Sequence, residues 1–153
     1  MNILFVCTGN ICRSPMAQFL AARFAREAGL DWRTASAGVE AEIGHGIEPG
    51  GLRALAAHGI KGMGHLARQL DGEMLTAADV VYAMTRAHRA IILSRFPAHA
   101  AKVLVLREAA GLPDADVADP YAEPDAEYEE CAVRIEDALK ILIRRNSHVE
   151  KTL

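Results

Sequence analysis

Near the amino end, Cys7-Thr8-Gly9-Asn10-Ile11-Cys12-Arg13-Ser14 brings together the residue types and spacing that nucleophilic attack on phosphorus needs. At the amino end of a helix a thiolate is favoured over a thiol, because unpaired N–H groups there present partial positive charge. Those N–H groups also make a ready site for an anion. Gly9 permits the dihedrals of a tight loop, and Asn10 tolerates left-handed backbone while its side chain braces the turn. Arg13, six residues after Cys7, offers a planar fork that grips two phosphate oxygens. Ser14 is placed to donate a hydrogen bond to the Cys7 sulfur. Thr8, Gly9, Asn10, Ile11, Cys12, Arg13 and Ser14 are thus expected to cradle a phosphoryl group that Cys7 attacks.

An attacked phosphate ester must release its alcohol or phenol, and a phenolate leaves more easily when protonated on the way out. Asp119-Pro120 is the candidate acid. Proline holds the residue before it extended, which directs the Asp119 side chain out of its loop. Asp114, Asp116 and Asp125 lie nearby, but none is followed by proline. The expected chemistry has two steps: Cys7 attacks while Asp119 donates a proton, then Asp119 acts as base for the water that hydrolyses the phosphocysteine. Backbone N–H groups and Arg13 carry the transition-state charge. No metal or cofactor is required.

Rival readings lack parts. The Gly-Lys-Ser/Thr of a Walker loop and the three spaced glycines of a dinucleotide loop are absent. Cys7 and Cys12 have no second Cys or His pair at zinc spacing. Taken singly, Cys7 reads as a strand-end cysteine, Arg13 as a surface charge and Asp119-Pro120 as a turn. Only the whole string, strand then loop then Arg-Ser-Pro then helix, sets these readings aside.

The elements that must hold these residues follow from hydrophobic pattern. Residues 3–6 form an apolar run, read as a buried strand. Ser14-Pro15 reads as a helix start, Met16, Phe19, Leu20 and Phe24 recur at helical spacing, and Gly29 stops the helix. Residues 32–37 read as a second strand, 38–50 as a Gly/Pro-rich loop, and Leu52 to Gly59 as a short helix. Val80–Met84 and Val103–Leu106 read as the third and fourth strands. Between them a helix capped by Thr85 carries Ile91, Ile92 and Phe96 inward and ends at Pro97. Residues 107–124 read as a long loop. A last helix from about Asp125 to Arg145 carries Tyr128, Cys131, Ile135, Leu139 and Leu142 on its core stripe. Strands alternating with helices imply an α/β fold: a parallel sheet with helices on both faces. Ligands in such sheets bind at the carboxyl ends of the strands, where Cys7 sits.

The 153 residues suit one domain spanning 1–153, able to bury a core without staples. Apolar residues make up 51% and charged residues 24%, with a net charge of −3. That balance and the scattered arginines exclude a nucleic-acid partner, which would require a basic stripe. No stretch is long enough for a membrane span or patterned as a signal peptide. Three cysteines, an odd number, fit free thiols in a reducing compartment, so a cytoplasmic location is expected.

The string Val6 to Pro15 closely resembles the signature of the low-molecular-weight protein tyrosine phosphatases. The resemblance continues through Ser36-Ala37-Gly38, His65-Leu66-Ala67-Arg68-Gln69, Ala83-Met84-Thr85 and Asp119-Pro120-Tyr121, in the family's order along nearly the whole chain. It implies a three-layer αβα fold on a four-stranded parallel sheet, a Cys7 nucleophile, an Arg13 clamp, an Asp119 acid and a phosphorylated protein as substrate. It also implies that Asn10, Ser36 and His65 brace the loop, and that Cys12 can pair with an oxidised Cys7. A monomer is favoured. Animal members carry two aromatic residues after Asp-Pro, whereas here Tyr121 precedes Ala122, so Ile11 and Tyr121 are the expected walls for a phenyl ring. Thr85 stands where many members have Asp. Bacterial arginine phosphatases share Cys-Thr-Gly-Asn, Pro-Met-Ala and Ala-Met-Thr but have Thr in place of Ile11, so a flat apolar ring is favoured here, with phosphoarginine as the alternative. Arsenate reductases of the same fold need relay cysteines, and Tyr82 to Arg89 contains none. A phosphate-binding module without catalysis is disfavoured by the joint presence of Cys7, Arg13 and Asp119.

Overall fold

The structure, a computed structural model, describes residues 1–152, with side chains described through His148. Strand β1 (Asn2–Cys7) lies in the middle of the sheet because its residues are apolar on both faces: Ile3 to Cys7 are all no more than 2% exposed. It pairs in parallel with β2 (Arg33–Gly38) on one side and β3 (Val80–Ala83) on the other, and β4 (Val103–Val105) lies outside β3. The order is β2-β1-β3-β4. Alternation along β1 divides the core. Ile3, Phe5 and Cys7 point into a layer with Met16 and Leu20 of α1 (Arg13–Glu27), Leu55 of α2 (Pro49–Ala56) and Ile135 and Leu139 of α6 (Asp125–Thr152). Leu4 and Val6 point into the opposite layer, with Leu75 of α3 (Gly72–Ala77) and Ile92 of α4 (Arg86–Arg95). Each large apolar side chain so buried contributes roughly 1.5–3 kcal/mol. The expected three-layer α/β fold with four parallel strands is the one observed.

Local expectations needed five corrections. Helix α1 starts at Arg13, with Cys12 as its cap residue and no side-chain cap; Ser14 turns its hydroxyl to the loop instead, and Pro15 is the third helical residue, where its missing N–H still costs no helical bond. Helix α2 begins at Pro49, inside the stretch read as loop. Glycine is required at positions 50 and 51 of this helix because Tyr128 and Ile47 occupy the space a Cβ would need: at Gly50 it would lie within 2.4 Å of the Tyr128 ring. Helix α3 was missed; Asp71 caps it, its carboxylate accepting from Met74 N at 2.9 Å. Strand β3 stops at Ala83 and β4 at Val105, and Leu106 opens a single turn, α5 (Leu106–Ala109), inside the supposed strand and loop. Helix α6 continues past Arg145 because Asn146 and Ser147 bond back to the carbonyls of Leu142 and Ile143 instead of ending the helix. Arg145 lies inside the helix, and its guanidinium donates to the carbonyls of Ala109 and Ala110 at the end of α5. No helix among the described residues is long and apolar enough to cross a membrane.

Candidate active site

The loop Thr8–Cys12 connects the end of β1 to α1, beside the point where the sheet order changes direction between β1 and β3. Asn10 holds its tight curve: its φ of 60° is the left-handed conformation that Asn tolerates. Gly38, at the end of β2, lies directly beneath. A Cβ there would stand 2.4 Å from the Thr8 carbonyl oxygen and 3.1 Å from Asn10 N. Among the described residues, no acceptor takes up the backbone N–H groups of Thr8, Gly9, Ile11 or Cys12. A curved row of unfilled donors at a helix amino end suits a multivalent oxyanion.

A relay of side chains behind the loop fixes the sulfur. Arg68 N donates to Asn10 Oδ1 (3.0 Å), which orients the amide. Its Nδ2 then donates to Ser14 Oγ (2.8 Å) and Ser36 Oγ (2.9 Å). The Ser36 hydroxyl donates to Gln18 Oε1 at 2.6 Å. Because Ser14 Oγ already accepts from Asn10, its own proton is free for Cys7 Sγ, 2.9 Å away, in preference to the Ala37 carbonyl at 3.4 Å. His65 Nε2 donates to the Asn10 carbonyl (2.8 Å); burial lowers the imidazole's pKa and keeps it neutral. Asn10, Ser14, Ser36 and His65 therefore meet behind the loop.

Arg13 is buried, and its Nη1 donates to the Val117 carbonyl at 3.0 Å. Val117 is in turn tied to the end of β3 through its N–H to Met84 O. The other guanidinium nitrogen faces Asp119 Oδ2 at 3.5 Å, while Asp119 Oδ1 accepts from Tyr121 N. Two of the three competing carboxylates are engaged elsewhere: Asp116 accepts from Arg86 N, and Asp125 forms a two-bond pair with Arg53. Cys7, Thr8, Gly9, Ile11, Cys12, Arg13, Asp119 and Tyr121 all line one cleft of about 220 Å³. Ile11 is nearly buried in its wall, and Tyr121 is 56% exposed at its rim.

Several contributors were not assigned roles from sequence. Glu40 and Glu42 join the cleft lining, carried there because Glu40 N and Glu42 N bond the carbonyls of Thr8 and Gly9. Arg68, Gln18 and Gly38 act through backbone position or a second hydrogen bond, for which the one-dimensional string carries no spacing signal. Thr85 caps α4 as expected, accepting from His88 N. The Cys12 thiol lies 3.7 Å from Tyr128 OH and is pushed up to about 12 by burial. Cys131 is packing in the core, its thiol also pushed up to about 12 by burial.

A cysteine-bearing anion loop on a parallel sheet, with a guanidinium and a carboxylate in the same cleft, defines a phosphatase-type site on an αβα domain. The comparisons make this specific. The family model for low molecular weight phosphotyrosine protein phosphatase matches residues 2–152. The chain is 37% identical over 145 residues to a protein-arginine-phosphatase of Bacillus subtilis, covering 95% of this chain and 96% of that one. It superposes on the low molecular weight protein tyrosine phosphatase of T. tengcongensis with a TM-score of 0.91 and 37% identity, over 95% of this chain and 99% of the other. A TM-score of 0.91, at 36% identity and 95% coverage of each chain, relates it to an arginine phosphatase whose active-site cysteine was replaced by a serine that carries phosphate. The chain belongs to the low molecular weight phosphotyrosine protein phosphatase family and is a phosphatase.

Proposed function

We propose that the protein hydrolyses phosphotyrosine in protein substrates through a phosphocysteine at Cys7. The observation that carries this reading is the single cleft shared by Cys7, Arg13, Asp119, Ile11 and Tyr121. The phosphoryl oxygens would take the unfilled loop N–H groups and the Arg13 fork, and the phenyl ring would lie between Ile11 and Tyr121. Cys7 Sγ forms a bond to phosphorus as the bond to the phenolic oxygen breaks, and Asp119 gives its proton to that oxygen. Water then bonds to phosphorus while the sulfur–phosphorus bond breaks. Its proton returns to Asp119, and the Cys7 thiolate leaves against the Ser14 hydroxyl. Inorganic phosphate is the second product. The phosphorylated serine in the related mutant supports a phosphoenzyme at this position. Cys12 is the neighbouring thiol that would condense with a sulfenic acid at Cys7, releasing water. Three free thiols suit a cytoplasmic setting.

One observation favours a second reading. The carboxylates of Glu40 and Glu42 at the cleft mouth could accept the N–H groups of a phosphorylated guanidinium, and the Bacillus subtilis relative is named for arginine. The test is kcat/KM on phosphotyrosine and phosphoarginine peptides side by side, for the wild type and Ile11→Thr. The tyrosine reading expects the wild type to prefer phosphotyrosine and Ile11→Thr to move the ratio toward phosphoarginine. A wild-type preference for phosphoarginine that Glu42→Gln weakens would establish the second reading instead.

A further inference from the structure

We propose that His88 is a positioning residue of the phosphate site, acting through Thr8 to hold the first residue after the nucleophile. The proposal rests on the reading of the Cys7–Ser14 loop as a phosphate site, and it concerns a side chain eighty residues away from that loop. Helix α4 begins just after β3, and Thr85 caps it by accepting the His88 N–H at 3.0 Å. That cap fixes the base of the imidazole. The ring is only 4% exposed, and its Nε2 lies 2.8 Å from Thr8 Oγ1. Its Nδ1 has no hydrogen-bond partner among the described residues. A buried polar atom left unpaired is costly, so the ring is not there as inert filling: among the described residues its only side-chain hydrogen bond is the one to the loop.

Thr8 is thereby held from two sides. Its carbonyl accepts from Glu40 N at 3.0 Å, and its hydroxyl is bonded to His88. Both restraints act on Thr8, which carries the first N–H after the nucleophile and lines the cleft. The charged groups around the ring are Arg13 from α1 and Asp116 and Asp119 from the loop before α6. Burial and Arg13 together keep the imidazole neutral, its pKa lowered to about 4. A neutral ring supplies one directional hydrogen bond without placing a second fixed cation beside Arg13. The charge that meets phosphate therefore stays with Arg13 and the loop N–H groups.

The experiment compares wild type, His88→Ala, His88→Gln, Thr8→Val and the double variant Thr8→Val/His88→Ala. For each, kcat and KM on p-nitrophenyl phosphate and the affinity for inorganic phosphate by calorimetry are measured, with circular dichroism to check folding. Loss of a neutral buried hydrogen bond predicts a roughly 2- to 10-fold fall in kcat/KM for His88→Ala. Gln places a nitrogen where Nε2 stood, so His88→Gln should recover most of that loss. Thr8→Val should fall as far as His88→Ala, and the double variant no further than Thr8→Val. Unchanged kinetics in His88→Ala, no recovery in His88→Gln, or losses that multiply in the double variant would each overturn the proposal. If the wild type bound phosphate without turning over p-nitrophenyl phosphate, the catalytic reading would fail while phosphate affinities across the five proteins still decided the role of His88.

Discussion

Replacing Asn10 by alanine removes the hub of the loop, and its cost can be worked from the geometry. Three hydrogen bonds disappear: those to Ser14 Oγ (2.8 Å) and Ser36 Oγ (2.9 Å), and the one from Arg68 N (3.0 Å). At about 1 kcal/mol each, these are worth about 3 kcal/mol, and Arg68 N is left without its acceptor. Alanine at a φ of 60° adds roughly 1 kcal/mol that asparagine largely escapes. A total of about 4 kcal/mol is a large part of the roughly 5–15 kcal/mol that holds a domain of this size. Asn10→Gly loses the same bonds but not the backbone strain, so it should be at least as stable as Asn10→Ala, reversing the usual order of the two residues. Urea denaturation followed by the fluorescence of Trp32, which packs against the larger core, measures both. Turnover of p-nitrophenyl phosphate should fall in parallel, because Ser14 loses the donor that commits its proton to Cys7. An Asn10→Ala protein within about 1 kcal/mol of wild type, with unaltered kcat/KM, would refute the relay.

Three further outcomes are expected. Gly38→Ala forces its Cβ against the Thr8 carbonyl, 2.4 Å away; overpacking of this kind costs about 1–3 kcal/mol, and the displaced loop should show a raised KM, whereas an unchanged KM would show that the loop yields freely. Asp119→Ala should slow tyrosine phosphate about 10²–10⁴-fold but p-nitrophenyl phosphate much less, because a good leaving group needs no acid; equal losses would move the acid elsewhere. Burial of neutral His88 holds its pKa at about 4 against 6.5 in the unfolded chain, so the unfolded state binds the extra proton first. Stability is therefore fully present above pH 6.5 and falls by about 3 kcal/mol as the pH drops toward 4. Urea midpoints across that range should show the fall in wild type and a shallower one in His88→Gln.

The sequence made the sheet and the nucleophile legible for a physical reason: both are local. An apolar run long enough for one strand, ending in Cys7 and followed by Gly-Asn, Arg and Ser-Pro, states in one window what the backbone must do there. The core stripe of α6, from Tyr128 through Leu142, was equally readable from its spacing. What bears on the loop from far away was not. His88 and Arg68 reach it from other elements by single hydrogen bonds, Gln18 acts on it only through Ser36, and Gly38 matters through space it leaves empty. The errors in α2 and α6 share one origin. Gly50 and Gly51 resemble loop residues until Tyr128 and Ile47 are seen packed on them, and Arg145 resembles a helix end until its carbonyl partners on α5 are known.

Rapid-quench mass spectrometry of the protein mixed with p-nitrophenyl phosphate tests the phosphocysteine most directly, with Asp119→Ala included to slow the water step. The mechanism predicts one phosphoryl group on the peptide carrying Cys7, formed with the release of nitrophenol, accumulating in Asp119→Ala and absent in a Cys7→Ala protein that does not turn over. Nitrophenol released at the wild-type rate from Cys7→Ala, or phosphate found on any other residue, would contradict it.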